Sequence, residues 1–278
     1  MVALTIAGSD PSGGAGIQAD LKTFHQFGVY GQAVITLITV QNTLGVLRVE
    51  CLPAELVEAQ IRAVMEDIRP VAVKTGALGH TGIIEAVARL DFDLVVDPVM
   101  ISKHGVWLLN EEARSALRDQ LIPRSYLLTP NLHEASALTG KPVETTFDMR
   151  EAARRLVDMG AKSALIKGGH LSGAPTDILL HRGEWYEFPG QRIATQHTHG
   201  TGCTYSAAIT ACLAKGYELP EAVQTSKAFI QEAIRTNPGL GHGTGPVNHH
   251  AALAGRTRAS CARSEPWEST SSRRSDPS

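Results

Sequence analysis

The stretch VALTIAGSDPSGGAGIQADLKTFHQFG, Val2–Gly28, decides how the rest of the chain is read. Val2–Ala7 is an apolar run too short for a helix and reads as a buried strand. A glycine-rich turn follows. Ile17, Leu21 and Phe24 then recur at i, i+4 and i+7, which predicts an amphipathic helix that Gly28 stops. Strand, turn and helix in that order form the repeating unit of a parallel sheet.

The unit recurs along the chain. Ala33–Val40, Val71–Thr75, Leu94–Val96, Tyr126–Thr129 and Ser163–Lys167 are further short apolar runs, each expected as a strand. Val57, Ile61, Val64 and Ile68 carry a helical period, as do Ala152, Leu156 and Met159 before Gly160. Asp177–Leu180 and Trp185–Phe188 flank His181–Glu184 as a β-hairpin. The expected fold is α/β: a doubly wound, mostly parallel sheet with helices on both faces, three layers in all.

Composition narrows the function. At 43% hydrophobic and 19% charged, 278 residues can bury a large core. A net charge of −2 leaves no basic footprint for nucleic acid. No apolar run reaches the length of a membrane span, and no secretory signal opens the chain. Cys51, Cys203, Cys212 and Cys261 show no paired metal spacing, which points to a reduced, cytoplasmic protein. From His250 to Ser278 come seven serines, five arginines and hardly any large apolar side chain. That segment is expected to be a disordered tail, residues 1–249 to be one domain, and His249 and His250 to be exposed tail histidines.

The opening glycines sit where a nucleotide phosphate loop would. A Walker loop needs GxxxxGK and then Ser or Thr; here Gly8 is followed by Gly13 and Gly14 with no lysine. The spacing of Gly13, Gly14 and Gly16 is not GxGxxG, and the second strand ends in Gln41 instead of an acid. Asp20, however, lies among Ile17, Leu21 and Phe24 on the apolar helix face, where a carboxylate must find a partner. The loop amides, Lys22, or a ring nitrogen or amine of a ligand could serve. Gln41 at the same sheet edge favours the ligand.

Ligands of an open α/β sheet bind beyond the carboxyl ends of its strands. Those ends carry Gly8–Ser9–Asp10, Gln41–Asn42, Lys74–Thr75–Gly76, Asp97–Pro98, Asn131 with Glu134, and Lys167–Gly168–Gly169–His170. Later, Gly200, Thr201 and Gly202 lead into an Ala-rich helix expected from Cys203 to Gly216. Free N–H groups and the positive helix end make such a turn an anion site, or else an ordinary glycine turn before a packed helix. Cys203 at that end is expected to have a lowered pKa, and Cys212 to be core. Asp97 and Glu134 offer hard oxygens for Mg²⁺ bound beside phosphates. Asn131 and Glu134 also suit a helix cap and first-turn acid. Lys167 suits a phosphate, or a snorkelling surface position.

With these residues assembled, the chain resembles the hydroxymethylpyrimidine and phosphomethylpyrimidine kinases of thiamine biosynthesis, in the ribokinase-like superfamily. The blocks that carry the resemblance are AGSDPSGGAGIQADLKTF, TVQNTLGV, KTGALG, VVDPVM, LLTPNLHEA, IKGGH, HTHGTGCTYSAA and GHGTGPVNH. The resemblance implies an ATP- and Mg²⁺-dependent kinase acting on a small molecule, an aminopyrimidine alcohol or its phosphate, and usually homodimeric. It implies that the loop from Gly8, with Asp20 and Gln41, holds the pyrimidine. Ala77 replaces a methionine common in the family and would reshape that pocket. Gly200, Thr201, Gly202 and Cys203 would form the anion hole, with Cys203 where ribokinase relatives carry an aspartate base. Lys167 and Asn131 would meet ATP phosphates, Asp97 and Glu134 the metal. Pyridoxal kinases carry nearly the same motifs. A non-catalytic pyrimidine-binding protein would be expected to lose the anion hole or the metal acids.

Overall fold

The computed structural model describes residues 1–101 and 107–253. In chain order the elements are β1 Val2–Ser9, α1 Gly16–Gln26, β2 Tyr30–Asn42, β3 Gly45–Cys51, α2 Ala54–Asp67, β4 Ala72–Thr75, α3 Thr81–Ala88 and β5 Leu94–Val96. Then follow α4 Glu111–Ala116, β6 Ser125–Leu128, α5 Leu132–Thr139, α6 Thr146–Asp158, β7 Ser163–Ile166, β8 Asp177–His181, β9 Glu184–Phe188, α7 Thr201–Ala214 and α8 Leu219–Arg235.

The strands form one sheet in the order β3-β2-β1-β4-β5-β6-β7-β8-β9. The six from β2 to β7 in that order are parallel, and β3, β8 and β9 are antiparallel edges. Side chains alternate across each strand, and the two faces pack on different helices. Leu4, Ile6 and Val73 join α2 through α6 on one face. Ala3, Ala72 and Val95 join α1, α7 and α8 on the other. This is the expected three-layer α/β arrangement. The chain leaves β1 toward β2 but leaves β4 toward β5. The order therefore reverses between β1 and β4, which opens a crevice at their carboxyl ends.

Several expectations need correction. β2 runs 13 residues, well past Ala33–Val40, and turns at Thr43–Leu44 into an unanticipated strand, β3. Ile68 caps α2 and is 43% exposed, so the apolar stripe there ends with Val64. α8 carries no expectation from the sequence. His249 is buried, with Nε2 3.2 Å from the Thr204 hydroxyl, and Gln26 donates to the carbonyl of buried Ala251. His249 is thus packed into the fold, and burial lowers its pKa to about 4. His250 is exposed as expected. Most of the expected tail, residues 254–278, lies outside the described residues.

Candidate active site

A cavity of about 560 Å³ opens at the carboxyl ends of the parallel strands, within the usual size of a small-molecule site. Gly8, Gln41, Ala77, Asp97, Asn131, Glu134, Lys167, Gly200, Thr201, Gly202 and Cys203 all line it. Residues up to 195 positions apart are brought together because each lies at or just beyond the carboxyl end of a parallel strand, or opens α5 or α7.

Asp20 is the exception and corrects the expectation drawn for it. It is fully buried, and its carboxylate is held from inside the protein. Lys74 donates to both oxygens, at 2.9 and 2.8 Å, and the Thr5 hydroxyl donates at 2.6 Å. Thr5 and Lys74 are register neighbours on β1 and β4, so both project to the face that α1 covers. Two donor groups make three contacts to its oxygens; burial raises the Asp20 pKa, while the Lys74 ammonium and the Thr5 hydroxyl favour the ionised form. Burial pulls the Lys74 pKa down, but Asp20, helped by Cys203 and Asp97, outweighs it and holds the pKa above the ordinary lysine value. Lys22, the partner considered from sequence, instead donates to the Gly13 carbonyl. A lysine in the wholly buried run Ala72–Thr75 was the available signal, since a buried ammonium demands an anion.

One wall of the cavity comes from the β2–β3 hairpin and the opening loop. Leu37, Thr39 and Gln41 point inward from β2, joined by Val46, which pairs with Gln41. The Thr36 hydroxyl donates to the Ala77 carbonyl at 2.6 Å and pins the KTGALG segment to β2. Gly16 lies at φ 58°, and any Cβ there would overlap the Gly8 carbonyl. The loop closes on itself only with glycine at that position.

The opposite wall is α7. Its cap, Gly200, lies at φ 78°. The N–H groups of Gly202 and Cys203 have no carbonyl a turn earlier within the helix, so they point at the cavity. A Cβ on Gly202 would stand 3.4 Å from Lys167 Nζ and 3.6 Å from Asp97 Oδ2. Helix end, ammonium and carboxylate therefore border one small space. Lys167 donates to Asp97 Oδ1 at 2.9 Å and is 13% exposed, so it faces the site instead of snorkelling. Burial opposes its charge, but Asp97 and Glu134 together hold its pKa above the ordinary lysine value. Asp177 accepts the Gly168 N–H at 2.8 Å and an ion pair from Lys227 at 2.7 Å, which fixes the turn after Lys167.

Asn131 and Glu134 form the capping box of α5, each side chain bonding the other's backbone N–H. Burial and Asp97 push the Glu134 pKa up to about 7, against the pull of Lys167 and the Asn131 N–H. The cap reading thus holds, and Glu134 still lines the cavity. No group of three or more His, Cys, Asp or Glu among the described residues is placed to hold a metal ion by itself. A Mg²⁺ that keeps its waters and shares phosphate oxygens needs only one or two carboxylates. Asp97 and Glu134 fit that requirement and no more demanding metal site.

Cys203 does not behave as the sequence suggested. Burial pushes its thiol up to about 12, and Asp20 and Asp97 add to that. Lys74 and a hydrogen bond from the Gly16 N–H pull the other way and are outweighed. The side chain is a neutral thiol at neutral pH. Cys212 is core, as expected.

Comparison with known proteins accords with this geometry. Residues 10–248 match the family model described as phosphomethylpyrimidine kinase. The hydroxymethylpyrimidine/phosphomethylpyrimidine kinase of Bacillus subtilis is 48% identical over 256 residues, 90% of this chain and 94% of that one. Among solved structures, a phosphomethylpyrimidine kinase from Clostridium difficile is 47% identical with a TM-score of 0.75, covering 84% of this chain and 99% of its own. An ADP complex of Bacillus subtilis pyridoxal kinase is 41% identical with a TM-score of 0.83, covering 90% and 97%.

Proposed function

The chain belongs to the phosphomethylpyrimidine kinase family, and from that membership we propose that it phosphorylates 4-amino-5-hydroxymethyl-2-methylpyrimidine and then its monophosphate, with ATP, in thiamine biosynthesis. The observation that carries the reading is the convergence of Lys167, Asp97 and the N-terminus of α7 on one space in the cavity. The pyrimidine ring packs against Leu37, Gln41 and Ala77, with the Gln41 amide pairing with ring nitrogen and amino group. The triphosphate lies at the α7 turn with Lys167. The nucleoside lies toward Ile230, Gln231 and Ile234 at the other end of the cavity. Mg²⁺ held by Asp97 and Glu134 would neutralise phosphate charge. Transfer then needs little covalent help. The hydroxyl is held in line, and the amides of Gly202 and Cys203 with the Lys167 ammonium stabilise charge on the moving phosphoryl group.

Incubation with ATP-Mg²⁺ and, separately, the hydroxymethylpyrimidine, its monophosphate and pyridoxal tests the reading. ADP formation with both pyrimidines is expected, and turnover on pyridoxal alone overturns it. Pyridoxal stands as the second reading because of the fit to the pyridoxal kinase structure.

A full general base contributes about 10²–10⁴-fold, and a thiol held neutral supplies less. Cys203→Ala is therefore expected to keep more than about one hundredth of the parent kcat, with pyrimidine affinity nearly intact. Equal kcat for Cys203→Ser and Cys203→Ala would exclude this side chain from the proton transfer.

Because the Glu134 pKa is raised to about 7, the folded, ligand-free protein holds a proton there that the unfolded chain has lost. Its contribution to stability is full below the ordinary carboxylate value of 4.5 and is lost as pH rises through about 7. Metal binding runs the other way, since Mg²⁺ needs the ionised form. Calorimetry at pH 6 and pH 8 is expected to show tighter Mg²⁺–nucleotide binding at the higher pH, and Glu134→Gln to flatten the difference.

A homodimer and a cytoplasmic location complete the proposal. Ile38 and Val40, 47% and 49% exposed, lie side by side on the outer face of the β2–β3 hairpin, which suits burial against a second copy. Light scattering of Val40→Glu is expected to report monomer where the parent reports dimer. Cys51, Cys203 and Cys212 are free thiols, and no helix of the described residues is long and apolar enough to cross a membrane.

A further inference from the structure

Asp10 and His199 are 189 residues apart in sequence, and both are almost fully buried. His199 Nε2 lies 2.8 Å from Asp10 Oδ2. The Asp10 pKa is lowered to about 2, with the hydrogen bonds from His199 and Ser12 outweighing burial. An ionised carboxylate can only accept, so Nε2 carries the hydrogen. The same carboxylate accepts the N–H groups of Ser12, Gly14 and Ala15 and the Ser12 hydroxyl, so it organises the whole opening loop. His199 directly precedes Gly200, the cap of α7. The two loops touch: a Cβ on Gly200 would overlap the Gly14 carbonyl.

The contact extends to the GHGTGPVNH block, which has no part in the chemistry so far. His199 N–H donates to the Gly245 carbonyl at 3.0 Å, and Thr244 N–H donates to the Thr43 carbonyl at 2.9 Å. Thr43 sits in the β2–β3 turn, two residues beyond Gln41. His199 is therefore tied on one side to the opening loop and on the other, through residues 244–245, to the hairpin that carries Gln41.

We propose that Asp10 and His199 are a positioning pair that locks the acceptor-binding loop to the phosphate-holding turn of α7, and so sets the distance between the acceptor hydroxyl and the transferring phosphoryl group. The proposal rests on the kinase reading above. Neither residue takes part in bond making. The residues assigned to the nucleotide away from the α7 turn, Lys167, Ile230, Gln231 and Ile234, lie on elements that the pair does not join.

The test compares the parent with Asp10→Asn, His199→Leu, His199→Gln and the double variant Asp10→Asn/His199→Leu. A misplacement of about 1 Å costs on the order of 100-fold, so kcat/KM for the acceptor is expected to fall by that factor in Asp10→Asn and His199→Leu. The Kd for Mg²⁺–AMP-PCP is expected to stay within about threefold, because uniform binding of nucleotide is untouched. His199→Gln, whose Nε2 can donate to the same oxygen, is expected to recover most of the loss. The double variant is expected to be no worse than either single one. Parent-like kcat/KM in Asp10→Asn, a His199→Gln as poor as His199→Leu, additive losses, or an equal loss of nucleotide affinity would each overturn the pair. If His199→Leu fails to fold, Asp10→Asn and His199→Gln decide alone. Parent turnover on pyridoxal only would sink the pyrimidine reading, and the pair is then read with pyridoxal as acceptor.

Discussion

Lys74→Met is expected to lower the free energy of unfolding by about 3–5 kcal/mol, the cost of leaving a buried charge unpaired. Asp20 would then be left beneath the sheet with the Thr5 hydroxyl but no cation to face it, and burial would push its pKa up further. For a chain of this size that loss corresponds to a fall in Tm on the order of 10 °C. Asp20→Leu is expected to do the same from the other side, stranding the ammonium. The double variant Lys74→Met/Asp20→Leu is expected to recover much of the stability, since an apolar pair of similar volume removes both desolvated charges. Thermal and urea unfolding of the four proteins form the cycle. The same set separates two roles for Asp20. A carboxylate that held the pyrimidine would raise KM on removal and leave Tm in place; the buried pair predicts the reverse order of effects.

Lys167→Ala is expected to lower kcat by about 10²–10³-fold, the scale for losing one preorganised donor to a developing negative charge. Its ammonium borders the space at the α7 turn. Gly202→Ala probes the same space by volume alone. A methyl group at that position meets only Lys167 Nζ and Asp97 Oδ2, at ordinary contact distances, so the free protein folds normally. In the proposed assignment the methyl occupies phosphate space, and both nucleotide affinity and kcat fall. Steady-state kinetics check both variants, with unchanged Tm expected for Gly202→Ala; Lys167→Ala also leaves buried Asp97 without its ammonium partner, so its kcat is read at a temperature well below its own Tm. Parent-like kcat in Lys167→Ala would move the transfer site elsewhere.

The central strands were legible because each is a short apolar run buried on both faces, such as Leu94–Val96. β3 was not. It is an edge strand with one wet face, where Arg48 and Glu50 pair with each other and Leu47 is 80% exposed. α8 was masked differently: Ser226 and Lys227 interrupt its apolar stripe, and both are buried, Lys227 being neutralised by Asp177. His249 read as tail because it precedes a Ser/Arg-rich segment, and only its packing by Thr204 reveals otherwise.

The cavity lining was legible for a topological reason. Polar residues at the ends of parallel strands converge whatever the details of packing, so Gln41, Asp97 and Lys167 could be grouped from order alone. Charge states were not. Cys203 has the helix end that lowers a thiol pKa, but burial beside Asp20 and Asp97 outweighs it. Asp20 was rightly marked as needing a partner. The partner lies 54 residues away on a strand that is adjacent only once the sheet order is known. His199 carried a signal that went unused: a histidine beside the anion turn, facing an aspartate in the opening loop.

A crystal structure with Mg²⁺–AMP-PCP and the hydroxymethylpyrimidine tests the division of the cavity most directly. The account predicts the γ-phosphate against the N–H groups of Gly202 and Cys203 and the Lys167 ammonium, with the ring against Gln41 and the opening glycine loop. Phosphates cradled by the loop from Gly8 to Gly16, with the pyrimidine at the α7 turn, would contradict it.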